Sequence, residues 1–332
     1  MAQMFGDMIG HYEERKEFEV VKLFKAKNDK KPSTFLLGGP PGTGKTSFAR
    51  EISKSFDAIF MNVELEEIRS SFQALSEKNL KAVFNKAMEL APKQVIIYID
   101  EADALLSERK KEDSSTEASL MSVMLTNMDG FNSGTVDASH ITIIVSTNHP
   151  ANFDKAILQR FDTKLFLQLP KQHEKFLATM KIVNDYDIHT DITEEQFNTI
   201  DTKLFSFREN ETLTKKALRY GPFYRTMNSN HFQYLDDSII AGCNCTDGSC
   251  NRFDLNYIQA IQLAQEGTIT LIHSKLTIQD FKMARRTTNP TTTQKELDDF
   301  AQFFGKRANY DIEPRKKQKR RNLFVKFLCW LL

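Results

Sequence analysis

The chain has 332 residues, a net charge of +1 and a hydrophobic fraction of 40% beside 27% charged residues, the balance of a globular protein with room for two domains of ordinary size. So small a net charge argues against a surface that is basic overall and gathers nucleic acid, and four cysteines exclude a disulfide scaffold and favour a reducing compartment. No stretch reaches the ~20 apolar residues of a membrane span, and the first 18 residues lack a signal-peptide core, so a cytoplasmic location is expected.

Residues 12–27 read as a charged helix, and a polar linker, 28–32, leads to a short buried strand over 34–38. Next comes Gly39-Pro40-Pro41-Gly42-Thr43-Gly44-Lys45-Thr46, followed from Ser47 to Phe56 by helical apolar spacing at Phe48, Ala49, Ile52 and Phe56. Strand, glycine loop and helix is the context that the phosphate-loop pattern requires. Glycines let the backbone turn several N–H groups inward, and the helix N-terminus adds its positive end. Lys45 is the expected partner of the β- and γ-phosphates, and the Thr46 hydroxyl of Mg²⁺. The loop marks a nucleotide site whose binding residues are Pro41, Gly42, Thr43, Gly44, Lys45, Thr46 and Ser47, with ATP and Mg²⁺ as the expected cofactors.

A second strand is expected over 57–63 and a helix over 77–91, which Pro92 ends. Val95 to Glu101 is an apolar strand closed by two acids. So continuous an apolar run suits a parallel sheet covered on both faces, and acids at a strand's C-terminal end sit where such sheets bind ligands. Asp100 is assigned to the metal shell and Glu101 to the attacking water. A further strand, 141–148, ends in Asn148, which is placed to bond that water or the γ-phosphate. Residues 156–162 put Arg160 just before a last strand, 164–169.

This order of elements resembles an AAA+ ATPase, in particular the branch that holds katanin, spastin and the vacuolar-sorting ATPase that dismantles ESCRT filaments. Asp7-Met8-Ile9-Gly10 is similar to the branch's entry motif, which implies that Asp7, Ile9 and Gly10 lie against adenine. Gly39 to Thr46 matches its Walker A, Asp100-Glu101 its Walker B, Met128-Asp129-Gly130-Phe131 a characteristic turn, and Ser146-Thr147-Asn148 its sensor strand. The resemblance places Arg160 as the arginine finger, acting on the neighbouring subunit's nucleotide, and Glu101, Asn148 and Arg160 as the catalytic set. Phe72 falls on the aromatic position of the central-pore motif, although Gln73-Ala74 departs from the rest of it. Residues 107–117 fall on the second pore loop and read equally well as a solvated surface loop. Gln159-Arg160 stands where two arginines are common, and Phe205-Ser206-Phe207-Arg208-Glu209 where Ser-Gly-Ser/Ala-Asp is usual.

The expected fold is α/β: a P-loop parallel sheet sandwiched by helices over 1–170, then a smaller, mostly helical lid over 171–314, with helical spacing at 174–183, 210–227, 254–265 and 296–304. Segments 223–232, 276–281, 288–290 and 303–305 resemble the lid of the filament-dismantling enzyme. Cys243, Cys245 and Cys250 share a polar loop and are one ligand short of a closed zinc site, which His231 or His273 would complete; ordinary loop cysteines are the other reading. The tail, 315–332, joins a basic block, Arg315 to Arg321, to an apolar segment, Leu323 to Leu332. At about 15 Å as a helix, that apolar segment is too short to span a bilayer. It suits shallow binding at an anionic membrane surface, docking on the protein itself, or a nuclear-import or nucleic-acid patch. The function expected from all this is a ring-forming ATPase, expected as a hexamer, that unfolds or disassembles protein complexes, acting on a polypeptide or filament client. The lack of a substantial domain before residue 5 implies recruitment through the tail, the pore or an adaptor. The alternative is an AAA+ nucleic-acid motor or loader, which the charge balance disfavours.

Overall fold

The computed structural model describes residues 4–5, 8–28, 30–64, 68, 73–103, 115–129, 137–153, 155–229, 231–236, 239–243, 252–253, 256–267 and 270–305. A small antiparallel pair, β1 (Met4–Phe5) and β2 (Met8–Ile9), leads into helix α1 (Tyr12–Asn28). The main sheet consists of β3 (Ser33–Gly38), β4 (Ile59–Val63), β5 (Val95–Ile99), β6 (Ile141–Thr147) and β7 (Thr163–Phe166). All its described pairings are parallel, in the order β4-β5-β6-β3-β7.

The strands are apolar on both faces because both faces are covered. Phe35, Leu37, Ile96, Tyr98, Ile144 and Leu165 join Phe18 of α1 and Phe48 and Ile52 of α2 (Lys45–Ser55) in one core. The alternate residues Leu36, Ile97, Ile99, Ile143 and Val145 pack with Leu80 and Phe84 of α3 (Gln73–Glu89) and Leu120 and Met124 of α4 (Ser115–Met128). Each fully buried side chain of this size contributes roughly 1.5–3 kcal/mol, so the sheet is the rigid floor of the molecule. Its strand order brings the C-terminal ends of β5, β6 and β3 side by side, where an open parallel sheet binds its ligands.

After β7 the chain builds a second core from α6 (Gln172–Asp185), α7 (Glu194–Phe197), α8 (Phe207–Leu218) and α11 (Ile278–Arg285), around Val183, Phe197, Phe205, Leu213 and Phe281; the short helix α5 (Lys155–Leu158) precedes β7. The helix expected over 210–227 is divided: α8 passes into a wide helical turn, Arg219–Phe223, before α9 (Tyr224–Met227). Pro222 lies in that turn and cannot donate to a regular helical ladder. The lid also carries a small sheet that the sequence pattern does not announce. Strands β8 (His231–Asp236), β9 (Ile239–Cys243), β10 (Arg252–Phe253) and β11 (Thr270–Ile272) pair in the order β10-β8-β9-β11, with α10 (Tyr257–Gln265) packed on them through Ala260.

The last described helix, α12 (Gln294–Phe304), returns to the main sheet. Phe300 and Phe304 stack on Phe166 at 5.6 and 5.2 Å, and Phe304 lies so close to Gly38 that a Cβ there would come within 2.2 Å of its ring. Among the described residues, no helix is long and apolar enough to cross a membrane.

Candidate functional site

The phosphate loop joins β3 to α2 and depends on two left-handed glycines, Gly42 at φ 78° and Gly44 at φ 89°. A side chain at Gly42 would also collide with the lid, 2.4 Å from Ser206 Oγ and 2.7 Å from Arg208 Cβ. Gly44 caps α2 without a side-chain hydrogen bond, so the first N–H groups of the helix are left for an anion. The Lys45 ammonium donates to Gly39 O at 2.9 Å, Pro40 O at 3.1 Å and Asn148 Oδ1 at 2.7 Å. Burial pulls its pKa down to about 8, against the pull of Asp100, Asp103 and Glu101.

Beside it lies an oxygen-rich corner. Thr46 Oγ1 donates to Asp100 Oδ2 at 3.0 Å and stands 3.2 Å from the Tyr98 hydroxyl. Since Thr46 has one proton and gives it to Asp100, Tyr98 donates to Thr46. The other Asp100 oxygen accepts from Ser146 Oγ and from Glu101 N at 3.0 Å. Burial raises the Tyr98 phenol above its ordinary range, so it stays a donor. Glu101 sits in the left-handed region at φ 50° with its side chain exposed. Asp103 holds the end of β6 in place: it accepts from Thr147 Oγ1 at 2.5 Å, Asn148 N at 3.3 Å and His149 N at 3.0 Å. Tyr98, Ser146, Asp103 and Arg208 are contributors to which the motif reading gives no role of their own. A hydroxyl in an apolar strand and an acid three residues after Asp100 are their sequence signals.

The entry side is partly described. Ile9 lies in β2, Gly10 has φ 88° and faces Glu174, and Asp7 lies outside the described residues. His11 Nε2 stands 2.8 Å from Thr43 O, and its ring meets Phe48 and Phe207 edge-on at 6.4 and 6.1 Å. Phe207 thus adds an aromatic wall where the resembling branch has glycine. From the same helix start, Glu209 accepts from Ser206 N, Ser206 Oγ and Thr291 Oγ1. Burial opposes its charge, but these hydrogen bonds outweigh that and lower its pKa. Among the described residues, the exposed Arg208 guanidinium has no acidic partner, and its charge helps to depress Lys45.

Arg160 lies elsewhere. Its Nε donates to Asp129 Oδ2 and its Nη1 to Ala156 O, both at 2.8 Å. Phe72 and most of 107–117 lie outside the described residues, as do Cys245, Cys250 and the tail, 315–332. His273 is half-buried against the Phe223 ring at 4.3 Å, and the described residues contain no cluster of metal-ligating side chains.

Residues 35–169 match the family described as "ATPase family associated with various cellular activities (AAA)". Spastin of Ixodes scapularis is 29% identical over 216 residues, which span 65% of this chain and 32% of that protein. The chain therefore covers about a third of the curated relative's length. Two crystal structures of the FIGL-1 AAA domain have the same fold at 23% identity. The ADP complex has a TM-score of 0.65, covering 90% of this chain and 89% of the other, and the second structure a TM-score of 0.66 over 90% and 88%.

Proposed function

Residues 35–169 belong to the AAA ATPase family, and on that premise we propose that the chain is a ring-forming ATPase that unfolds or disassembles protein complexes. The observation that carries the ATPase chemistry is the meeting of Lys45, Asn148, Thr46 and Asp100 at the ends of three adjacent strands. Uncapped N–H groups and Lys45 suit an anionic phosphate chain. The Thr46 hydroxyl and the Asp100 carboxylate are the hard oxygens that Mg²⁺ prefers, and they are the residues that would hold it. An ion held by those two oxygens would supply neutralisation of the charge on the transferred phosphoryl group.

Glu101 extends past this corner and orients the attacking water. Asn148 bonds Lys45 and faces the same space. Arg160 acts on a neighbouring copy: its guanidinium is engaged at Asp129, away from its own loop. Asp7, Ile9 and Gly10 take the base, with His11 and Phe207 as added walls. We place the boundary between ATPase domain and lid near residue 170 and the tail after 314, with Phe72 at the pore against a polypeptide or filament client. Residues 315–332 combine Arg315 to Arg321 with an apolar run, which supports an anionic membrane surface as a second partner in a cytoplasmic setting. Loss of liposome co-sedimentation on ending the chain at Pro314 is the test of that partner.

The decisive experiment pairs Glu101→Gln with a protein dilution series. The variant should bind ATP as the parent does and lose turnover by about 10²–10⁴-fold, the usual worth of a general base, and the parent's rate per chain should rise with assembly. Parental turnover in Glu101→Gln, or a rate independent of concentration with no oligomer present, would refute the reading. Stimulation by nucleic acid and not by unfolded protein would assign the chain to motors or loaders instead.

A further inference from the structure

A cavity of about 350 Å³ opens beside the phosphate loop, between its two prolines, the turn after β6 and the start of α12. Its size lies in the range of small-ligand sites. Pro40, Pro41, Phe300 and Phe303 give it apolar walls, while Glu296 and Asp299 bring two carboxylates, and among the described residues no lysine or arginine lines it. Glu296 is held ionised, first by Thr293 N–H and hydroxyl hydrogen bonds and in part by His149 across the cavity. Thr292, also in the wall, is only 3% exposed, and its hydroxyl has no hydrogen-bond partner among the described residues. A buried hydroxyl normally finds one.

We propose that this cavity binds an organic cation, an ammonium or guanidinium group on an apolar stem. The stem lies on the prolines and phenylalanines, the charge sits by Glu296 and Asp299, and the cation's N–H groups supply the partner that the Thr292 hydroxyl lacks. Those carboxylates, and not a phosphate, are what the cation pairs with, so the site adjoins the nucleotide's and shares Pro41 and Asn148 with it.

Two connections make its occupancy felt at the loop. Asn148 lines the cavity and accepts from Lys45 at 2.7 Å. Thr291, in the opposite wall, donates to Glu209, which accepts from Ser206, the residue against Gly42. A cation in the cavity therefore biases the two arrangements that fix the loop, and nucleotide biases the cation's affinity by the same factor. The group can arrive on a side chain of a second copy of this chain or on a free amine.

The full chain is titrated with n-butylguanidinium, n-butanol and butyrate, followed by ligand-detected saturation-transfer NMR. Butylguanidinium should saturate with a dissociation constant on the order of 1 mM, as befits so few atoms. Butanol should bind at least ~10-fold more weakly, and butyrate not at all. The double variant Glu296→Gln/Asp299→Asn should lose ~10-fold or more for butylguanidinium while keeping its melting temperature, because glutamine still completes the α12 capping box. Thr292→Val should weaken binding a few-fold. Equal binding of the three probes, or parental affinity in the double variant, overturns the proposal. Saturating probe should also change ADP affinity, and an unchanged value overturns the coupling. Dilution separates the sources: affinity for the probe that falls as protein concentration rises points to a competing side chain of a second copy, and constant affinity points to a free amine.

Discussion

Lys45 and Asn148 join across the site, ammonium to amide oxygen at 2.7 Å, so a hydrogen bond ties the phosphate loop to the end of β6. The same ammonium is buried, which lowers its pKa from 10.5 to about 8. Phosphate beside it favours the charged form and raises that pKa again. Nucleotide binding above pH 8 must then take up a proton, and affinity should fall as pH climbs from about 8 toward the higher pKa of the bound state. Below about pH 7 this group adds no slope. Calorimetry at about pH 8.5, in buffers of different ionisation enthalpy, reads the uptake. Lys45→Arg, which stays charged throughout, should show none, and equal uptake in that variant would assign the proton elsewhere.

Tyr98 donates to the Thr46 hydroxyl at 3.2 Å, leaving one lone pair of that oxygen for the metal. Tyr98→Phe keeps the ring, which stacks on Phe60 at 5.8 Å, and removes only the donor. Stability should change by about 1 kcal/mol or less. The Mg²⁺ concentration for half-maximal tightening of ADP binding should rise about 3–10-fold, as when a partner that orients a metal ligand is lost. A fluorescent ADP analogue titrated with Mg²⁺ measures it, and an unmoved midpoint would reduce Tyr98 to a packing residue.

The site's skeleton is legible in the sequence because its chemistry is local. A phosphate loop needs glycines at fixed spacing, and Asp100, Glu101 and Asn148 end apolar runs that can only be covered strands. Tyr98, Ser146 and Asp103 escape that reading, since their contacts run between strands whose adjacency comes from the sheet order. The lid sheet escapes it for another reason. Its strands are two to six residues long, too short for a period of two to stand out. The helical spacing over 210–227 marks the right segment but not its division at Pro222. Arg208 sits at a departure from the branch's pattern, and only the packing of Ser206 and Arg208 on Gly42 shows that the departure faces the loop.

Gly38 is where α12 closes onto the sheet. Any Cβ there meets the Phe304 ring at 2.2 Å, so Gly38→Ala must displace that ring from its stack on Phe166 or move α12 with it. Overpacking of this kind costs about 1–3 kcal/mol. Phe304→Ala removes the obstacle, so the double variant should be more stable than the sum of the two single losses allows. Urea unfolding of the four proteins tests this, and strict additivity would mean that the two residues are not in contact.

Arg160 gives the ring its sharpest test. Its partner Asp129 is more than half exposed, with 52% of its side chain accessible against 32% for Arg160, and a pair so open to water is worth about 0–1 kcal/mol. The guanidinium can therefore leave Asp129 for a neighbour's phosphate at little cost. Asp129→Asn should bind ATP normally and keep turnover within about a factor of two, because all it removes is that weak restraint. Arg160→Ala should also bind ATP normally but lose turnover by about 100-fold or more, since a trans arginine stabilises charge that develops only in the transition state. Mixing Arg160→Ala with Glu101→Gln chains creates some interfaces where an intact arginine meets an intact carboxylate. Those interfaces should restore measurable turnover from two nearly inactive proteins, as phosphate release across a series of mixing ratios would report. Co-assembly demonstrated by crosslinking, with no recovery at any ratio, would show that Arg160 serves its own subunit.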